Sequence, residues 1–346
     1  MVKKILSYLN KNKTSIIILI LAFLFPTLCE LLGVKLRTST ITLINLGGIY
    51  AIAAIGYNIL LGFGGQISLG HAAFIGIGAY ITANLSIRYD VNFIIALLAS
   101  VVVTAILGFI LGLPALRLEG NYLAIATLGF GVAFEHIFME FEVFTGGFSG
   151  LKGVKAPKIF NIEFKSRQEM YYLILIFIVI AFILAKNLIN TKTGRALQAI
   201  RDSETAASSL GVNSAKYKTI AFVISAAYAG AAGSLWTYLF RQVYPQSFGM
   251  AISLNLLAMI VIGGLGSLWG SVIGAMFMTL LPEYMKAIKI TNGSFIATGI
   301  LLILTVMFCP YGIIQLLHKA SFYIKKFISK GGKNNFPKNK ELKEVP

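Results

Sequence analysis

The residues able to do chemistry in this chain are few and scattered. Three histidines, His71, His136 and His318, stand far apart, and no pair has the spacing of a metal site. Glu135, His136 and Glu140 have the residue types of a proton relay, but Glu140 and Glu142 fall at the predicted outer end of a span, where solvation is the simpler account. Cys29 and Cys309 lie in or beside apolar segments with no partner pattern. No glycine-rich loop is followed by Gly-Lys-Ser/Thr, so the chain has no phosphate cradle of the P-loop kind. Paired carboxylates, a nucleophile with its base and a metal cluster are all missing from the pattern, and neither a catalytic residue nor a metal ligand is assigned. What remains is a set of polar groups inside apolar stretches: Asn58, Gln66, Ser68, His71 and Thr127. Polar side chains there face the bundle interior or water rather than lipid, which makes them candidates for lining a translocation path. His71, beside a glycine-rich break, also reads as a hydrogen-bonded packing residue.

The elements that must position these groups are membrane spans. The chain is 57% hydrophobic and 12% charged, with a mean hydropathy of +0.80, whereas roughly a quarter of the residues in a soluble domain are charged. Segments of about 20 residues with almost no charge are long enough to cross a hydrocarbon core of about 30 Å. Ten spans are predicted: residues 15–34, 41–61, 72–87, 93–113, 121–142, 170–188, 219–240, 250–262, 271–284 and 294–308. The net charge of +17 concentrates at the two termini and in residues 190–218. The positive-inside rule and attraction to anionic lipid account for that, and no nucleic-acid recognition fold is suggested between the spans. An even number of crossings between these basic regions puts both termini and residues 190–218 in the cytoplasm. The domains are then a cytoplasmic N-terminus (1–14), a polytopic region (15–318) and a basic cytoplasmic tail (319–346). Residues 143–169 form an extracytoplasmic loop. That loop carries Lys152, Lys155, Lys158, Lys165 and Arg167, which oppose the charge rule.

Residues 190–218 are a polar island between long apolar runs. From Ser203, the small or apolar residues Ser203, Ala206, Ala207 and Leu210 recur at i, i+3, i+4 and i+7, one face of a short helix. Asp202 is the expected N-cap, Glu204 lies in the first turn and Gly211 ends the helix. About two turns, roughly 12 Å, are not stable alone in water, so this helix is expected to dock against something. Two glycine-rich breaks, residues 62–71 and 263–270, interrupt apolar segments in the two halves of the chain and are both expected toward the cytoplasmic side. In secondary transporters such interruptions point to the transport site. On the span at 219–240, Ser225, Ala229 and Gly233, with Ala226 and Gly230 beside them, form a stripe that admits close helix packing.

Five stretches now resemble a known family. The run Gly194-Arg195-Ala196-Leu197-Gln198-Ala199-Ile200-Arg201-Asp202, followed by Ala206-Ala207, Leu210-Gly211-Val212, Tyr217-Lys218 and Ala221-Phe222, resembles the cytoplasmic coupling loop of branched-chain amino-acid ABC transporter permeases. Gly64-Gly65-Gln66-Ile67-Ser68-Leu69-Gly70-His71-Ala72, Thr145-Gly146-Gly147 and Gly263-Gly264-Leu265-Gly266 agree with it. Tyr122-Leu123-Ala124-Ile125-Ala126-Thr127-Leu128 is similar to the LivM-type subunit rather than its LivH-type sister.

The resemblance implies an all-α integral membrane protein of about ten helices, bundled like a type II ABC importer permease in a bacterial inner membrane. It also implies a sister permease, two cytoplasmic ATPase subunits that use ATP and Mg, and an extracytoplasmic binding protein delivering leucine, isoleucine or valine. The chain itself would be no enzyme and hold no cofactor. Carried onto this sequence, Arg201, Asp202, Ser203, Glu204, Ala206, Ala207, Leu210 and Gly211 would contact an ATPase, and a charge at Ala207 would block that contact. Thr145, Gly146 and Gly147 would face the binding protein. Thr205-Ala206-Ala207 stands where many such permeases have Glu-Ala-Ala, with Glu204 one residue earlier. Related permeases serve urea and short amides, which is the alternative substrate class. An ion-coupled carrier acting alone is a further alternative, and it would need a charged or ion-binding site in mid-span.

Overall fold

The structure, a computed structural model, describes residues 23–25, 37–115, 120–159 and 162–287, and a few positions beyond them: 299–300, 303–304, 307 and 312–314. The predicted first span (15–34) and last span (294–308) therefore lie outside the described residues apart from isolated positions. So do residues 1–14, Cys29, Cys309 and the 319–346 tail.

The described residues form eleven α-helices and four two-residue strands. In chain order the helices are α1 (Thr38–Asn58, extended by a π-helical turn at Ile59–Phe63), α2 (His71–Arg88), α3 (Phe93–Ala115) and α4 (Asn121–Glu140), then the short α5 (Glu142–Thr145). They continue with α6 (Arg167–Ile189), α7 (Lys192–Asp202), α8 (Glu204–Ser209), α9 (Ser214–Phe240), α10 (Met250–Gly263) and α11 (Leu268–Ala287). Six stretches are long and apolar enough to cross a membrane: Thr38–Phe63, Phe93–Leu113, Tyr122–Glu140, Arg167–Ile189, Ser214–Phe240 and Pro245–Gly263. This is a multi-pass all-α membrane protein. The predicted spans at 72–87 and 271–284 appear as α2 and α11, which are helical but outside that set.

In lipid, burying an apolar side chain gains little over leaving it among acyl chains, so helix association rests on close packing and interhelical hydrogen bonds. The long helix α9 shows both. It runs through the middle of the bundle against α1, α2 and α3. A Cβ at Gly233 would collide with the Ile75 carbonyl of α2. Thr237 Oγ1 donates to Ala79 O at 3.1 Å, and Ser100 Oγ of α3 lies within 2.8 Å of Gly230 O and 3.1 Å of Gly78 O, joining three helices. The small-residue stripe expected from sequence is thus the seam of the bundle.

The bundle has two ends, here called near (residues 190–218) and far (residues 143–169). At the far end strand β1 (Leu151–Lys152) pairs antiparallel with β4 (Gln242–Val243), and β2 (Lys158–Ile159) pairs with β3 (Ile162–Glu163). The basic residues of that loop are engaged locally. Lys155 pairs with Asp90 at 2.8 Å, Lys165 with Glu163 at 2.7 Å, and Arg167 donates to the Leu239 carbonyl at the end of α9. Ser166 caps α6 with a full capping box, its side chain taking the Glu169 N–H while Glu169 reaches back to the Ser166 N–H.

Candidate functional site

The polar island is two helices, not one. Ala196, Leu197 and Ile200 recur at helical spacing and are buried, which turns residues 192–202 into an amphipathic helix lying on the near end of the bundle. That helix, α7, went unread in the sequence although the i, i+3, i+4 signal is there. The expected short helix follows as α8. Its N-cap is Ser203, whose Oγ accepts from the Ala206 N–H at 3.3 Å. Asp202, expected in that role, is instead the last residue of α7, and its carboxylate takes the Arg201 guanidinium at 2.9 Å. Gly211 ends α8 as expected, with φ +83°, and the Val212 N–H closes back on Ala207 O at 3.0 Å.

The proposed docking face divides. Leu210 is 86% exposed, and Ser203 and Ala206 are exposed with it, but Ala207 is 2% exposed and faces the chain's own interior. Expectation and structure differ here because six residues of helix cannot keep a face of i, i+3, i+4 and i+7 on one side when the anchoring helix α7 approaches from that side. Glu204 is clamped by Lys218 of α9 at 2.6 Å, and that lysine is buried. Arg201 reaches the bundle from the surface: its side chain is 39% exposed, and its Nη1 donates to Gly62 O at 2.9 Å. Its side chain lies over Gly65, where an ideal Cβ would approach Arg201 Cγ to 3.0 Å, and within 3.5 Å of the Cβ position of Gly266. One arginine of the island therefore touches both glycine-rich breaks.

Both breaks are held together by Asn58, which sits just before the π-helical turn. Its Nδ2 donates to Ser267 O at 2.9 Å and lies 2.7 Å from Ser271 Oγ, while its Oδ1 accepts the Gly266 N–H at 3.0 Å. Asn58 is fully buried and its amide is used on both sides. Asn58 is thus a tie between the two halves.

The remaining polar candidates lie along the first break. The break starts at the near end, under Arg201, and climbs. Gly70 packs against the Thr127 carbonyl and Gly131 of α4, and Thr127 Oγ1 accepts the Leu69 N–H at 2.9 Å. His71, the first residue of α2, bonds Ser225 Oγ through Nε2 at 2.9 Å and stacks on Tyr57 with centroids 4.4 Å apart. Ser225 is the twelfth residue of the 27-residue α9, about 16 Å from its near end. Helix α2 therefore begins at half height, and the break is not confined to the near side as expected from sequence. Three side chains there keep buried polar atoms without a partner: Gln66 Nε2 and Oε1, Ser68 Oγ and His71 Nδ1.

At the far end, Thr145 and Gly147 are buried. Thr145 Oγ1 donates to Phe141 O at 2.8 Å and accepts the Gly147 N–H at 3.1 Å, and Gly146 and Gly147 take φ of +73° and +58°. The motif builds a tight turn, and what it presents outward is Phe148, with Val143 beside it. Among the described residues no group of three His, Cys, Asp or Glu is placed to hold a metal ion.

The chain matches the family described as branched-chain amino acid transport system / permease component over residues 39–308. It is 32% identical over 322 residues to the high-affinity branched-chain amino acid transport system permease protein LivM of Salmonella typhimurium, covering 86% of this chain and 74% of that protein. The LivM of Escherichia coli is 32% identical over 300 residues, 80% of this chain and 70% of its own length. The LivH of Salmonella typhimurium is 23% identical over 288 residues, 78% of this chain and 92% of that protein. No solved structure matches the chain. The likeness spans both breaks, the island and the far-end turn, and the chain belongs to the permease-component family of branched-chain amino acid transport systems.

Proposed function

We propose that this chain is the LivM-like permease subunit of an ATP-driven importer for leucine, isoleucine and valine, working by alternating access in a bacterial inner membrane. The near end is cytoplasmic in this reading, and both termini lie on that side. Two ATPase subunits dock there, one of them on the exposed residues of α8 around Leu210, Ala206 and Ser203. The binding protein docks at the far end on the turn that displays Phe148. The observation that carries the reading is Arg201, which links the exposed island to the carbonyl of Gly62 and the neighbourhood of Gly266, so that a push on α8 reaches both broken helices.

Pairing with a sister permease is supported by the outward faces of two helices. The exposed face of α3 is bulky and apolar: Ile95, Leu98, Val102, Ile106, Phe109 and Ile110. That face suits acyl chains. The exposed face of α4 interleaves small or polar residues, Ala126, Gly129, Ala133 and His136, with Tyr122, Ile125, Val132 and Ile137, and the hollows at the small residues suit the side chains of another helix.

Uptake into proteoliposomes holding the complete transporter tests the function. Labelled leucine should accumulate only with ATP, insensitively to ionophores, and excess urea or acetamide should not compete. Leucine uptake without ATP that an ionophore abolishes would support the lone carrier instead. For the docking face, Leu210→Asp should cut ATPase co-purification at least tenfold while leaving the thermal stability of the permease unchanged.

A further inference from the structure

We infer that the half-height start of α2 and Glu135 of α4 together form a binding site for an amino-acid zwitterion, the α-carboxylate at the helix terminus and the α-ammonium at Glu135. The inference rests on the importer reading above and names the site within it.

Helix α2 starts inside the bundle, against the middle of α4 and α9. An N-terminus carries partial positive charge on its unpaired amides, which favours an anion. Among the described residues no acidic side chain supplies one: Gly70 is the N-cap, and the first turn, whose Ala73 N–H turns back to Gly70 O at 3.1 Å, holds no acidic residue. The Ala72 N–H is taken by Ser253 Oγ at 2.9 Å, which brings the first turn of α10 to the same place. Around it lie the buried, unpartnered Ser68 Oγ, His71 Nδ1 and the whole amide of Gln66. Gln66 is 4% exposed and the other two are fully buried. Polar atoms so placed cost about 1–3 kcal/mol each when left unmet, and the donors among them, the Gln66 Nε2 amide and the Ser68 hydroxyl on the segment leading into the helix terminus, are what a carboxylate requires.

The counter-charge is close. Gly131 of α4 touches Gly70, and Glu135 lies one helical turn further along the same face, about 6 Å on. Its carboxylate rests against Gly249, the N-cap of α10, with Oε1 2.9 Å from the position a Cβ would take. Among the described residues no lysine or arginine pairs with Glu135. The terminus of α10 favours that carboxylate, and a substrate ammonium would supply the full counter-charge that a carboxylate within a span lacks. On the same stretch of α4 the tilted rings of Phe130 and Phe134 meet at 4.5 Å, with Phe74 of α2 5.2 Å from Phe130, an apolar wall for an aliphatic side chain.

The test uses the complete transporter in proteoliposomes and reads leucine imported per ATP hydrolysed, with co-purification of the subunits as the assembly check. Glu135→Gln should lower that ratio about thirtyfold, and the double variant Gln66→Leu/Ser68→Ala about tenfold. Glu135→Asp, which keeps the charge, should recover at least a third of the unaltered value. The site is overturned if both altered transporters stay within twofold of the unaltered one, or if Asp at 135 performs no better than Gln. If the unaltered transporter imports no leucine, the importer reading fails first and the site falls with it.

Discussion

The two glycine-rich breaks look alike in sequence and behave differently in the folded chain. The second, residues 263–270, is closed: Ser267 Oγ accepts the Gly270 N–H at 3.1 Å, and Asn58 takes up the Gly266 N–H and the Ser267 carbonyl from across the bundle. The first, residues 62–71, is tied through its backbone and, among its polar side chains, only at His71, which bonds Ser225 Oγ. Tyr57 donates to Ser68 O at 2.6 Å, Thr127 receives the Leu69 N–H and Arg201 holds Gly62 O, while the side chains of Gln66 and Ser68 meet nothing. Glycine in a membrane helix thus serves two ends. In one break it lets backbones close upon each other, and in the other it frees a helix to begin in mid-membrane among polar groups.

The contrast is sharpest at Asn58. Asn58→Leu leaves the Gly266 N–H without its acceptor and takes one donor from the Ser267 carbonyl, which keeps the Ser271 N–H, a loss of about 2 kcal/mol. The detergent-solubilised variant should unfold at least 5 °C lower by thermal shift, and an unchanged midpoint would show that the second break is not held this way. Arg201→Ala comes next. It removes the link from the island to the first break but leaves the exposed α8 surface intact. ATPase co-purification should persist while leucine imported per ATP falls about tenfold, and full coupling in this variant would sever the two breaks from the island. The smallest effect on stability is expected at Gln66. Gln66→Leu replaces a buried amide that has no partner, so the thermal midpoint should stay within about 3 °C of the unaltered protein or rise. A fall as large as that of Asn58→Leu would make the two breaks equivalent after all.

Much of this architecture was legible in the chain. Apolar runs of bilayer length located α1, α3, α4, α6 and α9 within a few residues, because crossing a membrane imposes a length and a hydropathy that composition alone reveals. The seam on α9 showed as small residues at i, i+4 and i+8. The polar island was found, along with Gly211 as the stop of its short helix. Less was legible at the sites. Around Thr145, Gly146 and Gly147, where a docking contact is expected, the turn buries the Thr145 hydroxyl and exposes the neighbouring Phe148. Ala207 was read with Leu210 on one face and proves buried, since which side of a six-residue helix is covered depends on where α7 lies.

By itself, the sequence determined that this is a multi-pass α-helical membrane protein with one polar island and two glycine-rich interruptions, and its motifs marked the permease family. These are properties of local composition and spacing. The tertiary structure alone decided that Asn58 joins the breaks over an interval of more than 200 residues, that Arg201 reaches the Gly62 carbonyl, that Glu204 is spent on Lys218 and that α2 starts at half height. Hydrogen bonds and ion pairs of that kind join residues remote in the chain, and no local pattern records which polar group a buried side chain will meet.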